Sequence, residues 1–232
     1  MVLYETQHKG KKHQLGTSGF LYRSNKLMYD RVTSSMWSTL HGTPVVGPLV
    51  GKGIVLKRRS VVTTTWGEWK KAHPKTTVLS LNTGHRRDYG EGVAYRRYFS
   101  NDKLMFTVPG KDKRLPNKRE VLAFRADDGS HATAIDTKFL KKKRIYQLKV
   151  GKDDVLVVTT ASGAARAYYA DGLEFKKWNK KSMLEDSNQG LWTMTESALT
   201  KEGEEKMLKR YPSHQSFWFG WHAQFPETRL IK

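Results

Sequence analysis

One tryptophan-rich motif occurs twice in this sequence, and the repeat restricts the fold more than any other feature. Residues 66–76 and 218–228 both read Trp-x2-Trp-x4-Pro-x-Thr, at a constant offset of 152 residues. An upstream Leu-Lys-Arg triplet, at residues 56–58 and 208–210, keeps the same offset. Tryptophan accounts for only 7 of the 232 residues. Four tryptophans in one register therefore indicate an internal duplication.

The first copy predicts a short helix followed by a strand. Thr65 and Glu68 form a Thr-x-x-Glu capping box, in which each side chain satisfies a backbone N–H of the first helical turn. The residue before a proline disfavours the helical conformation, so we expect the helix to end before Pro74. A strand is expected directly afterwards, at residues 77–79.

The second copy predicts the same elements in the same order. Ser213 or Ser216 is the expected helix cap, and the helix is expected to run through about Gln224. Pro226 ends it, and a strand is expected at residues 229–231. The two indoles of each copy are three residues apart, so they share one helical face.

The tryptophans are the predicted structural anchors of both halves. Burying an indole stabilises a core strongly, since Trp-to-Ala substitutions cost about 3–5 kcal/mol. An aromatic platform for sugars or bases is the alternative role. The predicted anchors are Trp37, Trp66, Trp69, Trp192, Trp218 and Trp221.

Short strands dominate the rest of the chain. Asp128-Gly129 lies between two alternating runs and predicts a hairpin, whereas residues 196–209 look more helical than their counterpart in the first copy. We expect a β-rich α+β fold of short antiparallel strands, each half ending in a Trp-anchored helix. The predicted organisation is a single compact domain over 1–232, with duplicated halves 1–80 and 154–232 bridged by a strand-rich segment 81–153.

The composition restricts the partners. Lys and Arg number 42 against 22 Asp and Glu, which gives a formal net charge of +20. Such a charge attracts anionic partners, here an acidic protein, a polysaccharide or a nucleic acid. The absence of cysteine excludes disulfides and thiolate metal sites. No apolar run reaches the ~18 residues of a membrane helix.

No cofactor is predicted, and an oligomer is compatible with the sequence. These residues contain no signal peptide, because the first eight lack a basic segment followed by an apolar one. The cellular location is therefore left open.

Several long motifs resemble domain-of-unknown-function family 3179, which occurs in bacteria and archaea. The resemblance covers nearly the whole chain and implies no established activity. Similar proteins usually carry a Cys-x-x-Cys stretch just before the segment that starts here at Val2, and they often look exported. This chain has no cysteine, so the resemblance implies no metal or redox role for it. The matching motifs are residues 16–25, 28–37, 47–51, 66–80, 83–90, 217–221 and 225–228.

Two aspartates occupy similar positions in the halves. Asp30 precedes Trp37 by seven residues, and Asp186 precedes Trp192 by six. If the halves pack about a pseudo-twofold axis, the carboxylates could approach each other and share a proton or a cation. The alternative is that each carboxylate caps a turn beside its tryptophan.

A polar set near Gly16 and Gly19 contains further candidates. Ser18 is a weak candidate nucleophile, with His13 or His41 as a base, although no recognised spacing supports that pairing. Tyr22 and Ser24 are candidate ligand contacts.

The loop Arg87-Asp88-Tyr89 lies outside the repeat and has no core pattern. Loops carry binding residues more often than core positions do, so these three residues are the first candidates for ligand contact. Asp88 is also a weak catalytic candidate. The alternative is an Arg–Asp pair that only stabilises the loop. No metal site is predicted, because the eight histidines show no recognised ligand spacing.

Three functional interpretations follow. The first is a non-catalytic binding or assembly module whose basic surface meets an anionic partner. The second is a hydrolytic or metal-assisted enzyme with its site near Asp30, Arg87 and Asp88. The third is a nucleic-acid-binding subunit.

Overall fold

The computed structural model describes residues 1–179 and 182–232. Within these ranges it contains twenty short strands and four short helices. The protein is therefore a β-rich α+β fold built from several small, mainly antiparallel sheets. No helix in the described ranges is long and apolar enough to cross a membrane.

The amino-terminal part holds eight strands and two helices. They are β1 (Leu3–Tyr4), β2 (Gln7–His8), β3 (Lys11–Lys12), β4 (Leu15–Tyr22), β5 (Asn25–Asp30), β6 (Met36–Ser38), β7 (Thr43–Val46), β8 (Arg58–Arg59), α1 (Trp66–Ala72) and α2 (Arg96–Phe99).

The remaining elements follow from residue 120 onward. They are β9 (Glu120–Phe124), β10 (Thr133–Asp136), α3 (Thr137–Lys143), β11 (Ile145–Val150), β12 (Asp153–Thr159), β13 (Ala165–Tyr169), β14 (Phe175–Trp178), β15 (Met183–Asp186), β16 (Leu191–Met194), β17 (Ala198–Lys201), β18 (Met207–Lys209), β19 (Ser213–Phe217), α4 (Trp218–Gln224) and β20 (Arg229–Ile231).

Four sheets carry most of the strands. Two are antiparallel meanders, with strand orders β4-β5-β6-β7 and β14-β15-β16-β17-β18. The third is the antiparallel sheet β11-β12-β13, and the fourth has the order β19-β9-β10-β20. In the fourth sheet only the β10–β20 pair is parallel.

Strand β12 belongs to two hydrophobic cores at once. Its side chains alternate across the sheet, as in any strand. Val155 and Val157 therefore enter the core that contains Phe124 and Tyr211, whereas Leu156 and Val158 enter the core around Trp192. The continuous apolar pattern of this strand is the pattern expected of a strand covered on both faces.

Helix α4 covers the third core. Trp218 and Trp221 are fully buried. They pack with Val121 and Ala123 of β9 and with Ala134 of β10. The small side chains of this hairpin leave room for two indoles beneath the helix.

Helices α1 and α4 have the same local geometry. Both contain seven residues. The Trp69 Nε1 donates to Thr76 Oγ1 at 3.0 Å, and the Trp221 Nε1 donates to Thr228 Oγ1 at 2.8 Å. The motif thus specifies a helix whose second indole is tied to the threonine beyond the proline.

The two helices differ completely in burial. Trp66 is 47% exposed and Trp69 is 41% exposed, and α1 has no buried residue. The prediction that these two indoles anchor a core is therefore wrong for this structure. No strand pair comparable to β9 and β10 lies against α1 in the described residues, so its indoles have no core to enter.

Several local predictions are confirmed. Thr65 caps α1, since its hydroxyl accepts from the Glu68 N–H at 3.3 Å. The Asp-Gly turn joins β9 to β10, which pair in the antiparallel sense. The strand at residues 229–231 is β20.

Other local predictions are wrong. Residues 77–79 form no strand. The strand-rich character predicted for residues 81–153 is found only from residue 120 onward, in β9, β10 and β11. Residues 196–209 contain β17 and β18 rather than a helix, because they pair antiparallel with each other. The helix cap of α4 is Phe217, with no side-chain bond, rather than Ser213 or Ser216.

Glu68 also departs from the capping box. Its carboxylate accepts from the hydroxyls of Thr160 and Ser162 and lies 3.5 Å from Arg166 Nη1. The side chain therefore fixes α1 to the β12–β13 region instead of reaching back to Thr65.

The matched pair Trp218→Ala and Trp66→Ala tests this difference in burial. We expect Trp218→Ala to lower the free energy of unfolding by about 3–5 kcal/mol, because it empties a packed core site. We expect Trp66→Ala to cost about 1 kcal/mol or less, as for an ordinary surface substitution. Urea denaturation measures both values, and equal losses would contradict the exposed position of α1.

Candidate functional site

A basic cleft of about 860 Å³ is lined mainly by three chain segments, with His41, Thr43, Tyr169 and Ser197 completing its wall. The first segment is residues 55–60, which include β8. The second is the turn at 125–129 after β9, and the third is residues 209–212, which begin at the last residue of β18. Leu56 and Leu208 are both buried, so each fixes the basic pair that follows it at the cleft.

The cleft has a strong excess of positive charge. Among the described residues that line it, six are basic and two are acidic. Arg59 forms an ion pair with Glu5. The other basic residues form no ion pair within residues 1–179 and 182–232; they are Lys57, Arg58, Arg125, Lys209 and Arg210.

Arg125 is the most deeply buried of these cations, at 6% exposure. Its Nη2 donates to the carbonyl oxygens of Leu40 and His41, at 3.2 Å each. Its Nε is buried and has no hydrogen-bond partner. Burial lowers the pKa of the guanidinium to about 10, and the nearby Arg58 contributes to that shift. Arg125 is still charged at neutral pH.

Backbone carbonyls orient Arg58 and Arg210 without neutralising them. Arg58 Nη2 donates to the carbonyl of Ala126 at 2.7 Å and to that of Arg125 at 3.2 Å. Arg210 donates from Nε to Ala167 O and from Nη1 to Glu196 O. The Nη2 of Arg210 is buried and has no partner. Both guanidinium groups are thus held in place, and each keeps N–H donors that no described residue uses.

The two carboxylates of the cleft already accept hydrogen bonds. Asp128 Oδ1 accepts from the N–H of Ser130 at 2.8 Å and from its hydroxyl at 2.6 Å. Asp127 Oδ2 accepts from the Tyr169 hydroxyl at 3.1 Å. Burial and the neighbouring Asp127 raise the pKa of Tyr169, so its hydroxyl keeps its proton.

The remaining titratable neighbours are neutral at physiological pH. Burial lowers the pKa of His41 to about 4, and Arg125 adds to the shift. Burial raises the pKa of Tyr4 to about 12, against the opposing effect of Arg125 and Arg58. Neither group supplies negative charge to the cleft.

Asp30 caps a turn in the amino-terminal sheet. Its Oδ1 accepts from the N–H groups of Val32 and Thr33, and its Oδ2 lies 2.8 Å from His13 Nδ1. Burial alone would raise the pKa of this carboxyl, but the hydrogen bonds from His13, Thr33 and Val32 outweigh it and lower the pKa. The carboxylate is buried.

Asp186 has a similar arrangement in the sheet β14-β15-β16-β17-β18, with an indole in place of the histidine. Its Oδ1 accepts from the N–H groups of Asn188 and Gly190, and its Oδ2 accepts from Trp192 Nε1 at 2.9 Å. These bonds outweigh the effect of burial and lower its pKa. Each aspartate thus caps a turn. Asp186 bonds Trp192 directly, whereas Asp30 bonds His13, whose ring lies 5.1 Å from that of Trp37, and the two aspartates lie in different sheets.

Ser18, Tyr22 and Ser24 belong to the β4–β5 hairpin. The Ser18 hydroxyl donates to the Leu27 carbonyl at 2.6 Å. Arg23 and Ser24 both have positive φ, which suits a two-residue hairpin turn. The Tyr22 carbonyl accepts from Gln224 Nε2, so the hairpin tip contacts the end of α4.

The Arg87-Asp88-Tyr89 loop is exposed. Asp88 accepts from the Gly90 N–H, and the Tyr89 hydroxyl lies 2.8 Å from Thr83 Oγ1. Arg87 and Asp88 form no ion pair in the described part of the chain. None of the three residues lines the basic cleft. No group of three or more His, Asp or Glu side chains that could hold a metal ion occurs in residues 1–179 and 182–232.

Sequence reasoning did not select Arg58, Arg125 or Arg210 as site residues. A signal existed for two of them, because both belong to the repeated Leu-Lys-Arg triplet. Arg125 had no such signal, since it follows an ordinary alternating strand. Only the three-dimensional contacts reveal its burial.

The fold and the cleft define a β-rich protein with an unneutralised basic site between its segments. The chain belongs to the family described as "Protein of unknown function (DUF3179)", which matches it over residues 1–228. No curated protein and no solved structure is significantly similar to it.

Asp186→Asn tests the role of the turn-capping carboxylates. The folded-state pKa of Asp186 lies below the ordinary value of 3.8. Its stabilisation is therefore present above that value and is lost as the pH falls through the lowered folded-state pKa. We expect the free energy of unfolding of the variant at pH 7 to be about 1–3 kcal/mol below that of the wild type. We also expect its stability to fall less steeply than that of the wild type as the pH is lowered.

Thermal unfolding between pH 2 and 7 measures both effects. Asp171→Asn is the control, because Asp171 is exposed and its positive φ suits asparagine. An Asp186→Asn profile parallel to that of the wild type would contradict the assigned role.

Proposed function

We propose that this chain is a non-catalytic binding module whose basic cleft holds an anionic group of a partner. One observation carries the proposal. The Arg125 guanidinium is buried and charged, and no carboxylate pairs with it in the described residues.

A buried charge normally requires a counter-charge. Removing a cation from water costs several kcal/mol unless an anion and hydrogen bonds compensate it. Two carbonyls and the Phe225 ring, whose centroid lies 4.6 Å from the guanidinium carbon, compensate part of the Arg125 charge. They leave its Nε without an acceptor and the cation without a carboxylate partner in the described residues. An anion entering the cleft supplies both the charge and the missing acceptor.

The chemistry of the cleft favours carboxylate or phosphate. Arginine presents a planar set of donors that matches the paired oxygens of either group. Arg58 and Arg210 are already oriented by backbone carbonyls, so less conformational freedom is lost on binding. The volume of about 860 Å³ is that of a site for a small group rather than for a large surface.

The depth of Arg125 favours a protruding side-chain carboxylate. A polyanion that follows the surface meets Lys57 and Lys209, which are exposed, but not a guanidinium with 6% exposure. We therefore take an acidic polypeptide as the partner. The net charge of +20 increases the rate of encounter with it.

The repeated sequence supports a duplicated origin for the cleft. We infer that residues 1–80 and 154–232 are copies, since the two triplets and the two helices keep one offset. Each copy then contributes one basic pair, Lys57-Arg58 or Lys209-Arg210, to the same cleft.

Binding of a fluorescein-labelled hexaglutamate peptide tests the proposal. We expect Arg58→Met to weaken binding about tenfold or more, because a charged hydrogen bond contributes ~1.5–3 kcal/mol. Arg97→Met removes the same charge from the exposed helix α2 and is the matched control. Fluorescence anisotropy at constant ionic strength gives the affinities.

The alternatives give different results in the same assay. The nucleic-acid interpretation would be favoured if the protein bound a single-stranded oligonucleotide more tightly than hexaglutamate. That binding should depend steeply on salt, and both variants should lose the same amount of affinity. Equal hexaglutamate affinity in the wild type and Arg58→Met would show that the peptide does not bind in the cleft.

His41 provides a second readout that does not depend on a substitution. Burial and Arg125 hold its pKa at about 4 in the free protein. An anion beside Arg125 favours the imidazolium, so we expect the pKa of His41 to rise when hexaglutamate is bound. A histidine titration by NMR measures the change, and an unchanged pKa at saturation would place the peptide elsewhere.

A further inference from the structure

Helix α1 presents an apolar face that the described residues do not cover. Trp66 and Trp69 are nearly half exposed, and the residues after the helix are more exposed still: Val78 at 67%, Leu79 at 95% and Leu81 at 73%. Glu68 fixes the helix to the rest of the protein through Thr160, Ser162 and Arg166. The helix is thus held in place with both indoles partly exposed: the Trp69 ring packs on His73 at 4.0 Å and borders a cavity beside Thr160 and Arg166.

Helix α4 shows what covers a helix of this geometry. The β9–β10 hairpin lies against its two indoles. Strand β19 leads directly into α4 and pairs with β9, whereas β20 follows α4 and pairs with β10. The helix, its flanking strands and the hairpin form one unit.

The segments that flank α1 occupy the sequence positions of β19 and β20. Residues 61–65 precede α1 as β19 precedes α4, and residues 77–79 correspond to β20 at the same offset. Val61 donates its N–H to Ser213 O. Residues 62–64 and 77–79 have no backbone hydrogen bonds within the described chain. Both segments therefore have free backbone groups available for strand pairing.

We propose that α1 and its flanking segments bind a β-hairpin of a partner polypeptide. One strand of the hairpin pairs with residues 61–65 and the other with residues 77–79. Small apolar side chains between them cover Trp66 and Trp69. This is β-strand addition combined with burial of an indole pair.

Charge defines the partner further. Lys70, Lys71 and Lys75 lie on the helix and just after it, and none of them has an ion pair in the structure's described part. An acidic hairpin would complement the positive charge of these three lysines. The hairpin that covers α4, residues 119–136, contains two arginines and four carboxylates, and its Val121, Ala123 and Ala134 provide the small apolar face.

A second copy of the chain is a poorer occupant. Its β9–β10 hairpin is already paired on both edges, with β19 and with β20. It would have to leave its own core to bind α1 of a neighbour.

A cyclised peptide of residues 119–136 is the probe, since cyclisation holds the hairpin closed. It contains no tryptophan, so the emission of the protein reports binding. We expect a blue shift of the tryptophan emission as Trp66 and Trp69 are covered, and new protection from hydrogen exchange at residues 61–65 and 77–79.

Two variants determine whether the peptide binds at the exposed face of α1. Trp66→Glu places a charge on the apolar face, and we expect at least tenfold weaker binding. Val32→Glu is the matched control, because Val32 is 75% exposed outside α1 and its flanking segments, and it should bind as the wild type does.

Three results would overturn the proposal. The first is no binding at 1 mM peptide, a Kd that corresponds to a binding free energy of only about −4 kcal/mol. The second is peptide binding that Trp66→Glu leaves unchanged. The third is a dimer of the free protein that Trp66→Glu dissociates. Because neither variant touches the basic cleft, hexaglutamate binding by Trp66→Glu separates failure here from failure of the cleft.

Discussion

The burial of Arg125 is the interaction on which the arrangement of the chain depends. Its guanidinium donates to the carbonyls of Leu40 and His41, in the amino-terminal part. Its own carbonyl accepts from Arg58 and from the Tyr211 hydroxyl. One residue thus connects the chain on both sides of β9, and the contacts that join the segments also create a charged cleft between them. The packing that joins these segments around Arg125 also leaves its guanidinium without a counter-charge. The same contacts therefore hold the fold together and create the anion-binding chemistry of the cleft.

The two tryptophan helices show how far a local motif determines structure. The proline stop and the indole–threonine bond follow from the sequence and occur in both helices. The predicted side-chain cap occurs only in α1, at Thr65. Burial does not follow, since it depends on whether a hairpin lies against the indoles. The Trp-x2-Trp-x4-Pro-x-Thr pattern is shared by residues 66–76 and 218–228, yet only the second copy meets β9 and β10.

The same distinction explains which parts of the site could be predicted. Alternation and the Asp-Gly turn predict β9 and β10, and the long motifs identify the family. The composition predicts an anionic partner but not where it binds. Arg125 looks like an ordinary strand-end arginine, and its burial arises from contacts with residues about 85 positions away in sequence. The similar spacing of Asp30 and Asp186 from a tryptophan suggests a shared site, but the hydrogen bonds of both carboxylates are those of turn caps.

The free energy of unfolding, measured as a function of hexaglutamate concentration, tests the central claim most directly. A ligand that binds only the folded state raises stability by RT ln(1 + [L]/Kd). We expect the wild type to gain stability with increasing peptide at constant ionic strength and Arg125→Met to gain none. Equal gains in the two proteins would show that the anion does not bind at Arg125, and would contradict the assignment of the cleft.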